Sequence, residues 1–130
     1  MLKILILSLP SDRLKAEDVT NAVPGTMLGP VTPTFDHADA LVKRLSFLVT
    51  PDTSVCQVAA AFNVPSVVLY PKLALLHGHL WEPYRSDAEN IAAEVDDIGT
   101  IHHEQVFQAF ERLVSRHPVS GKNVAVARRT

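Results

Sequence analysis

Four oxygen-bearing side chains cluster in the segment Thr50-Pro51-Asp52-Thr53-Ser54, between the apolar run Phe47-Leu48-Val49 and the alanine-rich stretch Val55 to Phe62. That order reads as strand, polar turn, helix. The first turn of a helix carries backbone N–H groups with no partner inside the helix. With the helix dipole, those groups favour an anion such as a diphosphate. Thr53 and Ser54 would add hydroxyl donors. A purely structural role fits the same residues. Ser54 and Gln57 have the spacing of a capping box, and Asp52 could close an Asx-type turn. The two roles are compatible, because a capped helix can still bind an anion.

Other candidates are weaker. Ser8, Arg13 and Lys15 follow the apolar run Leu2 to Leu7 and could reach phosphates; solvated polar residues are the plainer reading. His77-Gly78-His79 and His102-His103 lack cysteine partners and the helical His-x-x-x-His spacing of metal ligands, so no metal is expected. Cys56 reads as a small buried residue of the alanine-rich helix. Trp81 could lie against a base or a sugar, or simply pack a loop. Asp96-Asp97 reads as a turn rather than a catalytic pair. Neither a Gly-x-Gly-x-x-Gly loop nor a phosphate-binding P-loop motif is present, which disfavours dinucleotide and P-loop enzymes.

These residues need a scaffold. Leu2 to Leu7 (apart from Lys3), Ser46 to Thr50 and Ser66 to Tyr70 carry continuous apolar runs with β-branched residues, as strands buried on both faces should. Residues 14–22 suggest a short helix, and 23–34 a loop with a short strand near Thr26–Val31. Thr34 to Arg44 has helical spacing in Phe35, Ala38, Leu41 and Val42. Val55 to Phe62 is a second helix, stopped by Asn63 and Pro65. Residues 71–86 read as a long loop, and Glu89 to Val95 as a strand or short helix. Thr100 is expected to cap a helix from Ile101 to Ser115, and residues 116–130 to form a loose tail. Alternating strands and helices predict an α/β fold, a Rossmann-like parallel sheet sandwiched by helices, forming one domain over 1–115. Ligands bind beyond the carboxyl ends of such strands. The loops to watch are therefore Ser8–Lys15, Thr50–Gln57 and Pro71–Arg85.

Composition agrees with a single domain. The chain has 130 residues, 47% of them hydrophobic, enough for a core without disulfides. A lone cysteine cannot form an intramolecular disulfide and fits a reducing, cytoplasmic setting. The formal charge of -2 offers no general attraction for nucleic acid or anionic membrane. No apolar run approaches a transmembrane length, and the first ten residues read as a buried strand rather than a leader.

The segment from Leu48 to Tyr70 resembles the carboxyl-terminal half of glycosyltransferase family nine, the lipopolysaccharide heptosyltransferases and their relatives. The resemblance rests on Pro51-Asp52-Thr53-Ser54, Ala59-Ala60-Ala61, Asn63-Val64-Pro65 and Val67-Val68-Leu69-Tyr70, and extends over roughly residues 35–115. It implies one half of the two-domain GT-B architecture, the half that holds the nucleotide sugar. Asp52, Thr53, Ser54, Val55 and Gln57 would lie at the donor, with Ser8, Arg13 and Lys15 near its phosphates. The donor would be ADP- or UDP-linked, ADP-heptose-like by resemblance. The setting would be lipopolysaccharide core synthesis at the cytoplasmic side of the inner membrane. No cofactor is implied.

Three departures from the family are visible. Gln57 stands where many members carry His. The stretch before Phe35 looks too short for a full strand–helix–strand set. The acceptor half, with its general base, is not in this sequence, so no catalytic residue is assigned and little transfer by the chain alone is expected. A separate acceptor-binding domain or a second copy of the chain is the implied partner. Two other readings stay open: a binding or assembly module without transferase chemistry, and part of a nucleotide-sugar epimerase.

Overall fold

A computed structural model describes residues 2–76, 87–118 and 123–127. The chain folds as an α/β domain around a six-stranded, all-parallel sheet in the order β2-β1-β6-β3-β4-β5. The strands are β1 (Lys3–Leu7), β2 (Thr26–Leu28), β3 (Phe47–Pro51), β4 (Ser66–Tyr70), β5 (Ala88–Ala92) and β6 (Asn123–Ala127). The helices are α1 (Arg13–Ala22), α2 (Phe35–Lys43), α3 (Ser54–Ala61), α4 (Lys72–Leu76) and α5 (His103–Arg116). The expected Rossmann-like arrangement, including the three expected strands in one sheet, is present.

Apart from Thr50 and Ser66, the strands β3 and β4 are apolar, because both of their faces are covered. Side chains alternate along a strand. On β3, Leu48 joins Val42, Leu45, Ala59 and Val64 beneath α2 and α3. Its neighbours Phe47 and Val49 point the other way, into a second cluster with Val67, Ile91, Ala109 and Leu113 beneath α5. On β4, Val68 and Tyr70 meet Cys56 on the α3 side. Ala59 is fully buried, which only a small side chain allows where α3 lies this close to the sheet. Cys56 is likewise the small core residue expected.

The helix ends carry the strongest local signals. Asn63 has φ 55, in the left-handed region that Asn tolerates better than most residues. Its N–H reaches the Ala60 carbonyl at 3.1 Å, and the Val64 N–H reaches the Ala59 carbonyl at 2.8 Å. That pair of bonds is a Schellman closure, with Val64 and Ala59 together in the core. The expected stop at Asn63 and Pro65 is thus realised. The cap of α5 differs from expectation. Thr100 ends a short 3-10 turn, Ile98–Thr100, and His102 is the N-cap. The His102 Nδ1 accepts from Glu104 N–H, and the Gln105 side chain accepts from His102 N–H. The cap moves because residues 98–101 close their own turn on Asp97.

Two further expectations are corrected. Residues 3–28 do hold a full strand–helix–strand set, β1-α1-β2, made possible by a ten-residue helix and a three-residue strand. The segment after 116 is not simply a loose tail. Residues 123–127 form β6, which pairs with both β1 and β3. The β1–β2 pair and the β3–β4–β5 sheet would otherwise present unpaired strand edges at the middle of the domain. Insertion of β6 satisfies those edges. The long loop after β4 opens with the helical turn α4. The remainder of that loop, with His77, His79, Trp81 and Arg85, lies outside the described residues.

Candidate functional site

The carboxyl ends of β1 and β3 and the segment after β2 surround a cavity of about 430 Å³. Its apolar lining includes Leu7, Leu41, Val42 and Val58; Ser8, Leu9 and Pro10 form one wall, and Pro30 with Thr32 to Phe35 another. The third wall is Thr50, Thr53, Ser54 and Val55, the end of β3 and the start of α3. Its position obeys the rule that ligands bind beyond the carboxyl ends of parallel strands. A volume of this size suits a small organic ligand.

The loop after β2 is held in place by two close contacts. The Gly29 N–H donates to the Ile6 carbonyl at 2.9 Å. A Cβ at Gly29 would come within 2.5 Å of Leu7 Cδ2 and 3.1 Å of the Ile6 carbonyl oxygen, so a larger residue would have to displace the Leu7 side chain and crowd β1. The Arg13 Nη1 donates to the Gly29 carbonyl at 2.6 Å and ties α1 to the same loop. Arg13 therefore positions a cavity wall and does not line the cavity. Lys15 is exposed and sits 3.8 Å from Asp12. Neither cation expected near phosphates reaches the cavity lining.

The turn into α3 is built one residue earlier than the capping-box reading expects. Thr53 has extended backbone angles and is the N-cap; Ser54 is the first helical residue. The Val55 N–H donates to Thr53 Oγ1 at 3.3 Å, and the Cys56 N–H to the Thr53 carbonyl at 3.1 Å. Buried Thr50 donates from Oγ1 to the Pro51 carbonyl at 2.9 Å and lies 3.4 Å from Thr53 Oγ1. Thr50 has one hydroxyl hydrogen, so the longer contact draws on the hydrogen of Thr53. The Thr53 hydroxyl is thereby engaged on both sides by its own turn. Ser54 is exposed beside the cavity, and its hydroxyl and N–H have no partner among the described residues. The Ser8 Oγ is buried and also has no partner among the described residues.

Asp52 does not line this cavity. It belongs to a shallower depression of about 320 Å³ with Pro51, Thr53, Pro71, Asp96, Asp97 and Ile98. Burial holds the Asp52 carboxyl above its ordinary range. Burial also raises the Cys56 thiol, and the Asp52 charge adds to that rise, so the carboxylate is felt within the first turn of α3. The two other carboxylates of the depression are engaged by backbone N–H groups. Asp96 Oδ1 accepts from Leu73 N–H at 3.3 Å, and Asp97 Oδ1 from Gly99 N–H at 2.8 Å. Asp97 serves its own turn, as expected, whereas Asp96 reaches back to the start of α4. Among the described residues no group of three His, Cys, Asp or Glu side chains could hold a metal ion.

Of the eight expected donor-site residues, the cavity collects Ser8, Thr53, Ser54 and Val55. Asp52 faces the neighbouring depression. Gln57 is exposed, with its amide 3.9 Å from Cys56 Sγ, and lines neither hollow. Thr50, in a loop that the carboxyl-end rule marks, also lines the cavity. Sequence reasoning missed Thr34, Phe35 and Asp39 as cavity residues, because their placement depends on how the loop after β2 folds.

Comparison of the chain with models of known families, with curated proteins and with solved structures finds no match.

Proposed function

We propose that this domain binds the donor of a glycosyl transfer, a nucleotide sugar linked to ADP or UDP. On this reading the acceptor and its general base belong to another domain or another chain. The observation that carries the reading is the cavity at the carboxyl ends of β1 and β3, which brings Ser8, Thr53, Ser54 and Val55 to one place. The start of α3 offers the open Ser54 N–H and hydroxyl, a suitable neighbour for a phosphate oxygen. With the acceptor and its base placed elsewhere, the chain by itself is assigned binding and not turnover.

A thermal-shift series with ADP-glucose, UDP-glucose, ADP and UDP tests this. At least one of them should raise the melting temperature of the parent chain. The rise should shrink in Ser54→Ala, whose unliganded stability must match the parent for the comparison to count. No shift with any of the four at millimolar concentration would end the donor reading.

A second reading, a binding or assembly module without transferase chemistry, is favoured by the rim of the cavity. Phe35 is 79% exposed and Leu9 49% exposed there. Exposed large apolar side chains around one mouth suit contact with another molecule. Concentration-dependent association of the chain, unaffected by nucleotides, would support this reading over the first.

A further inference from the structure

Charge divides the neighbourhood of the cavity in a way that a diphosphate site does not require. Among the described residues that line it there is no Lys, Arg or His, and Asp39 contributes a carboxylate. The two cations expected near the phosphates are spent elsewhere, Arg13 on the Gly29 carbonyl and Lys15 beside Asp12. A helix start carries roughly half a positive charge. Here Asp39 shares the cavity lining with Ser54 and Val55 at that helix start, and Asp52 is the residue before the cap. The one threonine hydroxyl at the α3 cap is engaged by Val55 N–H and Thr50. The interior offers apolar carbon and hydroxyl groups instead.

We infer that the cavity recognises the uncharged part of its ligand, a ring-sized group bearing hydroxyls, and that phosphate charge adds almost nothing to affinity. This rests on the donor reading above and concerns which portion of the donor supplies the binding. The phosphates would stay at the mouth in water, where the described lining holds no cation to attract them. Hydroxyl hydrogens of a ribose or hexose suit Asp39 as acceptor, and an apolar ring face suits the apolar lining.

Isothermal titration of the full chain with adenosine, uridine, ADP, UDP and pyrophosphate, each at low and high salt, tests this. The expected result is that a nucleoside and its diphosphate bind within about threefold of each other, a difference typical of screened surface charges. Salt should change neither appreciably. Pyrophosphate should not bind. Asp39→Lys, on the half-exposed surface of α2, should swing the preference toward the diphosphate by on the order of tenfold. A diphosphate that binds ten times or more tighter than its nucleoside, or measurable pyrophosphate binding, would overturn the inference while leaving the donor reading intact. An unchanged preference in Asp39→Lys would also overturn it. Absence of binding by all five compounds would remove both.

Discussion

Thr53 and Ser54 are adjacent hydroxyl residues, and only one of them caps α3. Replacing Thr53 by Ala removes an oxygen that accepts from Val55 N–H at 3.3 Å and contacts Thr50 Oγ1 at 3.4 Å. Both contacts are longer than ideal, which places the cost in the middle of the capping range, about 1 kcal/mol. For a chain of this size that lowers the melting temperature by roughly 3–6 °C. Thr53→Ser keeps the oxygen and should recover most of the loss. Ser54→Ala deletes an exposed hydroxyl at the first helical position and should cost less than about 0.5 kcal/mol. Urea unfolding monitored by far-ultraviolet dichroism reads all three, provided the slope with denaturant is unchanged. A larger loss in Ser54→Ala than in Thr53→Ala would refute the assignment of the cap, and with it the geometry of the turn beside the cavity.

Three other outcomes follow from the packing and charges. Leu113 is fully buried between α5 and the sheet, so Leu113→Ala should lose about 2–5 kcal/mol in the same unfolding assay. Asn63 holds a left-handed backbone, so Asn63→Ala should destabilise by about 1 kcal/mol, whereas Asn63→Gly should be nearly neutral. Arg116 and His117 hold the Asp87 carboxyl below its ordinary range. A lowered folded value means the contribution is present above the unfolded pKa, about 3.9, and is lost as pH falls through the folded value. Acid titration of stability should therefore show a loss below about pH 4 that Asp87→Asn reduces. The effect should stay under about 1 kcal/mol, because these side chains are more than a third exposed.

The alternation of apolar runs and amphipathic stretches was sufficient to predict a parallel α/β sheet, because burial on both faces demands β-branched runs such as Ser66 to Tyr70. The stop at Asn63 was equally legible, since few residues tolerate a left-handed backbone and Pro65 cannot continue a helix. Local pattern failed where two neighbours offer the same chemistry. Thr53 or Ser54, and Thr100 or His102, could each begin a helix, and the choice depends on where the preceding turn closes. It failed again at β6, since strand pairing across more than a hundred residues leaves no local periodic signature. The site divides in the same way. Position at the strand ends marked Ser8 and the Thr50–Val55 turn in advance. The removal of Arg13 to a backbone carbonyl, the turning of Asp52 into a separate hollow and the arrival of Asp39 beside the cavity were decided only by tertiary packing. The placement of Arg13 involves the loop at Gly29, which lies close against β1, and approach between distant segments is a property of the folded chain rather than of any local stretch.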